Sequence, residues 1–126
     1  MEFVLDITGM PTPRPRFNGK FAYMPKSYND YQKALVALIH EQGIPKGDYT
    51  RISLIFHFSY PKSTPKYKRL EGVPMRNKFD CDNLAKGVMD ALEKAEIIED
   101  DRKFFSVKSE KYRTLGENKI YVKLWQ

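Results

Sequence analysis

Cysteine occurs once in the 126 residues, at Cys81, so an internal disulfide is excluded and a reducing compartment is the expected setting. Histidine occurs twice, at His40 and His57, and neither has a partner at metal-ligand spacing, which argues against a histidine-based zinc site. No apolar run approaches the roughly 18 residues of a membrane-spanning helix. Met1-Glu2-Phe3-Val4 has neither the basic start nor the apolar stretch of a secretory leader. There is no internal repeat and no low-complexity tract. Aromatics are the opposite case: eight Phe and eight Tyr, within a chain that is 41% hydrophobic, suffice for a real core and argue against disorder. The expectation is a cytoplasmic, membrane-free protein with a single domain over residues 1–126.

Charge is scarce in one sign only outside a short window. Lys and Arg number 22 against 16 Asp and Glu, a net charge of +6. Residues 80–101 hold eight of the acids and two bases (Lys86, Lys94), so this window carries −6 and the remainder +12. A basic body attracts a polyanion, nucleic acid above all. An acidic patch within it repels phosphate unless it holds cations.

Period-two alternation marks a strand over residues 2–8, a clearer one over 51–60, and two more near 104–113 and 119–125. Helical spacing of Tyr28, Tyr31, Leu35, Leu38 and Ile39 predicts a helix from Ser27, with Ser27 and Asp30 as a capping box and Gly43 as its stop. A second helix is predicted from Asp80 or Asp82 to about Ala95. Pro11 to Arg16 is a proline-stiffened basic loop, and Asn18-Gly19 favours a tight hairpin turn. Pro61 to Phe79, with six bases and three prolines, reads as a long surface loop. The order β-α-β-α-β-β predicts an α+β fold, a mixed β-sheet packed against two helices.

On the second helix, Leu84, Val88, Ala91, Leu92 and Ala95 form an apolar face, with Asp82, Lys86, Asp90 and Glu93 opposite. Asp80 precedes the helix and Asp100-Asp101 follow it. Carboxylates are natural ligands of Mg²⁺, and their clustering on a basic protein points to metal-assisted phosphodiester hydrolysis. Lys86 would add a fixed positive charge beside the scissile phosphate. Plainer roles exist: Asp80 or Asp82 as a helix cap, and Asp82 with Lys86 as an ordinary i,i+4 pair. Two competing functions stay open. Asp101-Arg102-Lys103 has the acid-x-lysine form of restriction-like nucleases, and the acids of a non-catalytic nucleic-acid-binding module would merely solvate a helix. Cys81, flanked by two acids, is a poor nucleophile and reads as a packing residue.

The run Asp80-Cys81-Asp82-Asn83-Leu84-Ala85-Lys86, then Asp90-Ala91-Leu92, then Asp100-Asp101, resembles the RusA family of Holliday junction resolvases. Gly9-x-Pro11-x-Pro13-Arg14-Pro15-Arg16 and Tyr23-x-Pro25 resemble that family's opening segment. The resemblance implies a Mg²⁺-dependent homodimer that makes paired incisions in branched DNA, in recombination and repair. Carried over, Asp80, Asp82 and Asp101 would be metal-binding catalytic carboxylates, Lys86 the catalytic lysine, and Asp100 an acidic neighbour at the metal. Asn83 and Asp90 match the pattern, with helix structure as their alternative role. The expected DNA contacts are Arg14 and Arg16 in one loop, and Lys66, Lys68, Arg69, Arg76 and Lys78 in the other, with Phe17, Phe21 or Tyr67 stacking on unpaired bases.

Overall fold

The computed structural model describes residues 1–126. Its elements run β1 (Glu2–Leu5), β2 (Arg16–Asn18), β3 (Phe21–Tyr23), α1 (Lys26–Glu41), β4 (Arg51–Ser59), α2 (Cys81–Lys94), β5 (Ser106–Thr114) and β6 (Lys119–Trp125). Single 3-10 turns lie at Lys66–Lys68 and Asp101–Lys103. The four main strands form one mixed sheet in the order β1-β6-β4-β5. β6 is antiparallel to both β1 and β4, whereas β4 and β5 run parallel. A parallel pair needs a crossover, and α2 supplies it. This is the α+β, mixed-sheet, two-helix architecture expected.

Alternation sets the core. Ile52, Leu54, Phe56 and Phe58 of β4 are buried, as are Ile120, Val122 and Leu124 of β6 and Phe3 and Leu5 of β1. The apolar sides of α1 (Tyr28, Tyr31, Leu35, Ile39) and α2 (Leu84, Val88, Ala91, Leu92) cover that face. Each large side chain so buried contributes about 2 kcal/mol. The other face keeps Val4 and Ile55 half-buried and Tyr121 exposed, and no element of the chain lies over it. There Trp125 carries Arg51 and Lys123 over its ring at 4.9 and 4.7 Å from the centroid.

Several local expectations are corrected. α1 starts at Lys26, not Ser27: the Pro25 carbonyl accepts from the Tyr28 and Asn29 amides, so no side chain caps the helix. Asp30 pairs with Lys26 at 2.8 Å instead of closing a capping box. β5 starts at Ser106, not Phe104, because the 3-10 turn occupies the preceding residues. The segment after β4 is not wholly loop. Gly72, Val73 and Met75 exchange backbone hydrogen bonds with Arg113 and Lys111, covering the free edge of β5. The predicted Asn18-Gly19 turn is present, with Gly19 at φ 64, and makes the small β2–β3 hairpin.

β5 looks irregular in sequence for a structural reason. Its residues facing the helices are Val107, Ser109, Lys111 and Arg113, in register with Ile52, Leu54, Phe56 and Phe58. Two of these polar side chains hold the chain that leads into α2. Ser109 Oγ donates to the Cys81 carbonyl at 2.8 Å, and Lys111 Nζ donates to the carbonyls of Asn77, Lys78 and Phe79.

Candidate active site

Amphipathicity brings Asp82, Lys86, Asp90 and Glu93 to the outer side of α2, since the opposite stripe is fixed against the sheet. Lys86 lies at the centre. Its Nζ is 3.2 Å from Asp90 Oδ1 and 3.6 Å from Asp101 Oδ2. The i,i+4 partner is thus Asp90 rather than Asp82, and the ammonium leans toward the C-terminal end of the helix. Partial burial pulls the Lys86 ammonium down, but hydrogen bonds and charge from Asp90 and then Asp101 outweigh it and hold Lys86 above the ordinary lysine value.

The segment after α2 folds back beside this stripe. Glu93 Oε1 accepts from the Asp101 amide at 3.1 Å, which pins the 3-10 turn to the helix. Carboxylate oxygens of Glu93, Asp100 and Asp101 all lie within 4.8 Å of one another. Three oxygen donors at that spacing suit a hard divalent cation. Glu93 was visible on the polar stripe but was not among the expected ligands; its signal is its position three residues beyond Asp90, next to the fold-back. Asp100 is the most committed of the three. Arg102 grips it from Nε and from Nη2 at 2.6 Å, and the Arg102 amide adds a bond at 2.9 Å. These side-chain and backbone donors hold the Asp100 carboxyl down at about 2.

Asp80 and Asp82 stand at the other end of the stripe, outside this cluster. Eleven residues separate Asp82 from Glu93, about 16 Å along the axis. Asp80 occupies the N-cap position, yet its side chain caps no amide; its nearest polar contact is Asn83 Nδ2 at 3.5 Å. The approach to Asp80 is unusual. Lys78 and Phe79 have φ of 56° and 42°, a left-handed conformation that costs non-glycine residues energy. The Lys111 ammonium fixes those two carbonyls, and Phe79 rests on Phe58 with ring centroids 5.4 Å apart. Neither device was foreseen from sequence.

Lys103, the lysine of the restriction-like alternative, is engaged elsewhere, at 2.9 Å from Glu99 and 4.0 Å from Asp48. Of the expected DNA contacts, Arg14, Arg16, Lys66, Lys68, Arg76 and Lys78 are exposed. Arg69 is not free in the same way. Its Nε donates to Thr64 O at 2.9 Å and its Nη2 approaches Lys62 O at 3.2 Å, so it staples the loop internally. Phe17, Phe21 and Tyr67 are 74%, 78% and 81% exposed, free for stacking.

Acids and a paired lysine thus share one helix face of a basic α+β domain. The family comparison goes further. A family model described as endodeoxyribonuclease RusA matches residues 6–125, and the chain belongs to that family of DNA-cleaving hydrolases. Among curated proteins, none matches the sequence. No helix is long and apolar enough to cross a membrane.

Proposed function

We propose that the protein is a Mg²⁺-dependent, structure-selective endonuclease that resolves four-way DNA junctions by paired symmetric incisions, in recombination and repair in the cytoplasm. The observation that carries this reading is Lys86, held between Asp90 and Asp101 beside a triad of carboxylates, within a chain that is otherwise strongly basic. The donor set is all carboxylate oxygen, which fits Mg²⁺. Asp101, with Asp100 and Glu93, is the proposed oxygen-donor group at one end of the stripe, and Asp80 and Asp82 are the proposed metal-binding carboxylates at the other. When bound, the metal would activate water and offset charge on the phosphate. Lys86 then supplies the fixed positive charge for a phosphate oxygen as negative charge builds there. The exposed bases of residues 14–16 and 62–78 bind the DNA arms.

A stacked four-way junction has an approximate two-fold axis, so two symmetric cuts call for a two-fold dimer. The uncovered sheet face around Val4, Ile55 and Tyr121 is the surface we assign to it. The test is a synthetic four-way junction incubated with protein and Mg²⁺, alongside Asp80→Asn, Asp82→Asn and Asp101→Asn. Paired incisions by the wild type, and variants that bind the junction without cutting it, are expected. Binding without any cleavage by the wild type would leave the non-catalytic module instead. Variants that fold normally but lose binding together with cleavage would remove the metal role. Sedimentation of a monomer at micromolar concentration would defeat the dimer.

A further inference from the structure

We propose that Tyr28, oriented by Gln32, is a positioning residue that holds Asp90, and through it Lys86, in place for the cleavage step. The inference rests on the nuclease reading above and extends it to two buried side chains of α1 that lie outside the motif of residues 80–101. Tyr28 and Gln32 are both buried on α1, at 2% and 3% exposure, against α2.

The donors and acceptors fix the direction of the chain. Lys94 Nζ can only donate, and it reaches Gln32 Oε1 at 3.3 Å; the Gly87 carbonyl can only accept, and it lies 2.8 Å from Gln32 Nε2. The Gln32 amide is therefore locked with its nitrogen toward the Gly87 carbonyl and its oxygen toward Lys94. That nitrogen also donates to the Tyr28 hydroxyl at 3.1 Å, which occupies a lone pair and leaves the phenol proton for another acceptor. Two acceptors are in reach, Thr12 Oγ1 at 3.2 Å and Asp90 Oδ2 at 3.5 Å. Thr12 has its own acceptor, the Asn83 carbonyl at 3.2 Å, and can pass its proton there or to Tyr28. A carboxylate is the stronger acceptor of the two.

Asp90 is thus approached from both sides. Oδ2 faces the buried phenol and Oδ1 faces the Lys86 ammonium. A side chain on an exposed helix face ordinarily samples several rotamers, and an isolated i,i+4 pair restrains it weakly. A second contact on the far oxygen, 3.5 Å long in the free protein, adds the restraint that pair lacks, since a charge acting on a transition state must be placed before the reaction rather than during it.

Tyr28→Phe removes only the hydroxyl and keeps the core ring, and Gln32 retains Gly87 and Lys94. Single-turnover cleavage of a four-way junction in Mg²⁺ should slow about tenfold in this variant. Junction affinity in Ca²⁺ should stay within twofold, and the melting temperature should fall only by the few degrees that one unpaired Gln32 N–H costs. Asp90→Ala should slow cleavage at least as much, and the double variant no further, because both act on one chain of contacts. The order of the Lys86 ammonium, read from its ¹⁵Nζ NMR signal in the free protein, should fall in Tyr28→Phe. A cleavage rate within twofold of wild type, multiplicative losses in the double variant, unchanged Lys86 order, or parallel losses of affinity and thermal stability would each overturn the proposal. If the wild type cuts no branched DNA yet Lys86 loses order in the variant, the nuclease reading falls and the positioning contact stands.

Discussion

Replacing Lys111 with methionine keeps the length and apolar stem of the side chain but removes the ammonium that holds the Asn77, Lys78 and Phe79 carbonyls. Two consecutive left-handed residues precede Asp80. At about 1–2 kcal/mol for each non-glycine residue, that turn stores roughly 2–4 kcal/mol. Three charge-assisted bonds at a solvent-accessible position contribute about 0.5–1 kcal/mol each, so the clamp and the strain are of similar size. Without the clamp the observed turn loses about 2 kcal/mol relative to relaxed alternatives, roughly a 30-fold drop in its population. If cleavage requires Asp80 where this turn puts it, single-turnover cleavage at saturating junction falls by about that factor. Affinity falls by much less, since only one of 22 basic residues is lost. Adding Lys78→Gly should recover part of the rate, about fivefold, because glycine adopts φ near 56° without strain. The readouts are the cleavage rate in quench-flow and amide exchange over residues 76–80. A Lys111→Met protein that cuts within threefold of wild type, while Asp80→Asn is inactive, would refute the claim that the clamp places Asp80.

Lys86→Ala should slow cleavage at least 100-fold, about 3 kcal/mol of transition-state stabilisation, with Lys103→Ala within threefold; the reverse ranking in the same gel assay would favour the restriction-like site. Neutralising Lys66, Lys68 and Arg76 together should flatten log affinity against log salt by about 2 to 3 units per engaged loop, whereas an unchanged slope in junction titrations would turn this loop away from DNA. The Tyr31 hydroxyl is buried without a hydrogen-bond partner, and burial, offset only in part by the Met10 backbone, pushes its ionisation up to about 12. Unfolded tyrosine ionises near pH 10, so between about pH 10 and 12 the unfolded chain releases a proton that the folded chain keeps. Stability therefore falls as pH rises through that range, by about 3 kcal/mol in all. Tyr31→Phe should abolish this component and stabilise the protein at neutral pH by about 1 kcal/mol, measured by urea unfolding; a destabilised variant would show that the hydroxyl is satisfied.

Legibility followed periodicity. β4 and α2 were readable because each buries one side against a single partner layer, so Ile52, Leu54, Phe56 and Phe58 alternate, and Leu84, Val88 and Leu92 recur at helical spacing. Boundaries were less readable where one local hydrogen bond decides them. Ser27 and Asp30 carry a capping signature, yet Pro25 starts the helix a residue early and Lys26 takes the carboxylate. The residues after β4 looked like open loop because backbone pairing to an exposed edge leaves little side-chain pattern: Val73 and Met75 pair with β5 through main-chain hydrogen bonds, and Met75 is the one buried side chain of the segment.

The candidate site divides along the same line. Acids on the polar stripe of α2 and beyond its end were countable, and so was Lys86. What the sequence leaves unstated is which of them meet, because that depends on how the chain folds back after α2. The fold-back selects Glu93, Asp100 and Asp101 as the compact group and turns Lys86 toward Asp90 and Asp101. The supports are less legible still, since they act on backbone carbonyls and on a second oxygen of an already paired carboxylate. In sequence, Lys111 is one more base in a basic strand and Tyr28 one more aromatic on an apolar helix face. Only the register of β5 beside β4 brings Lys111 to the turn before Asp80, and only the approach of α1 to α2 brings Tyr28 to Asp90. The two ends of the acidic stripe are thus governed by different layers of the fold, the sheet edge for Asp80 and the helix pair for Lys86. Substitutions at Lys111 and Tyr28 should consequently combine multiplicatively in the cleavage rate, whereas Tyr28 and Asp90 should not.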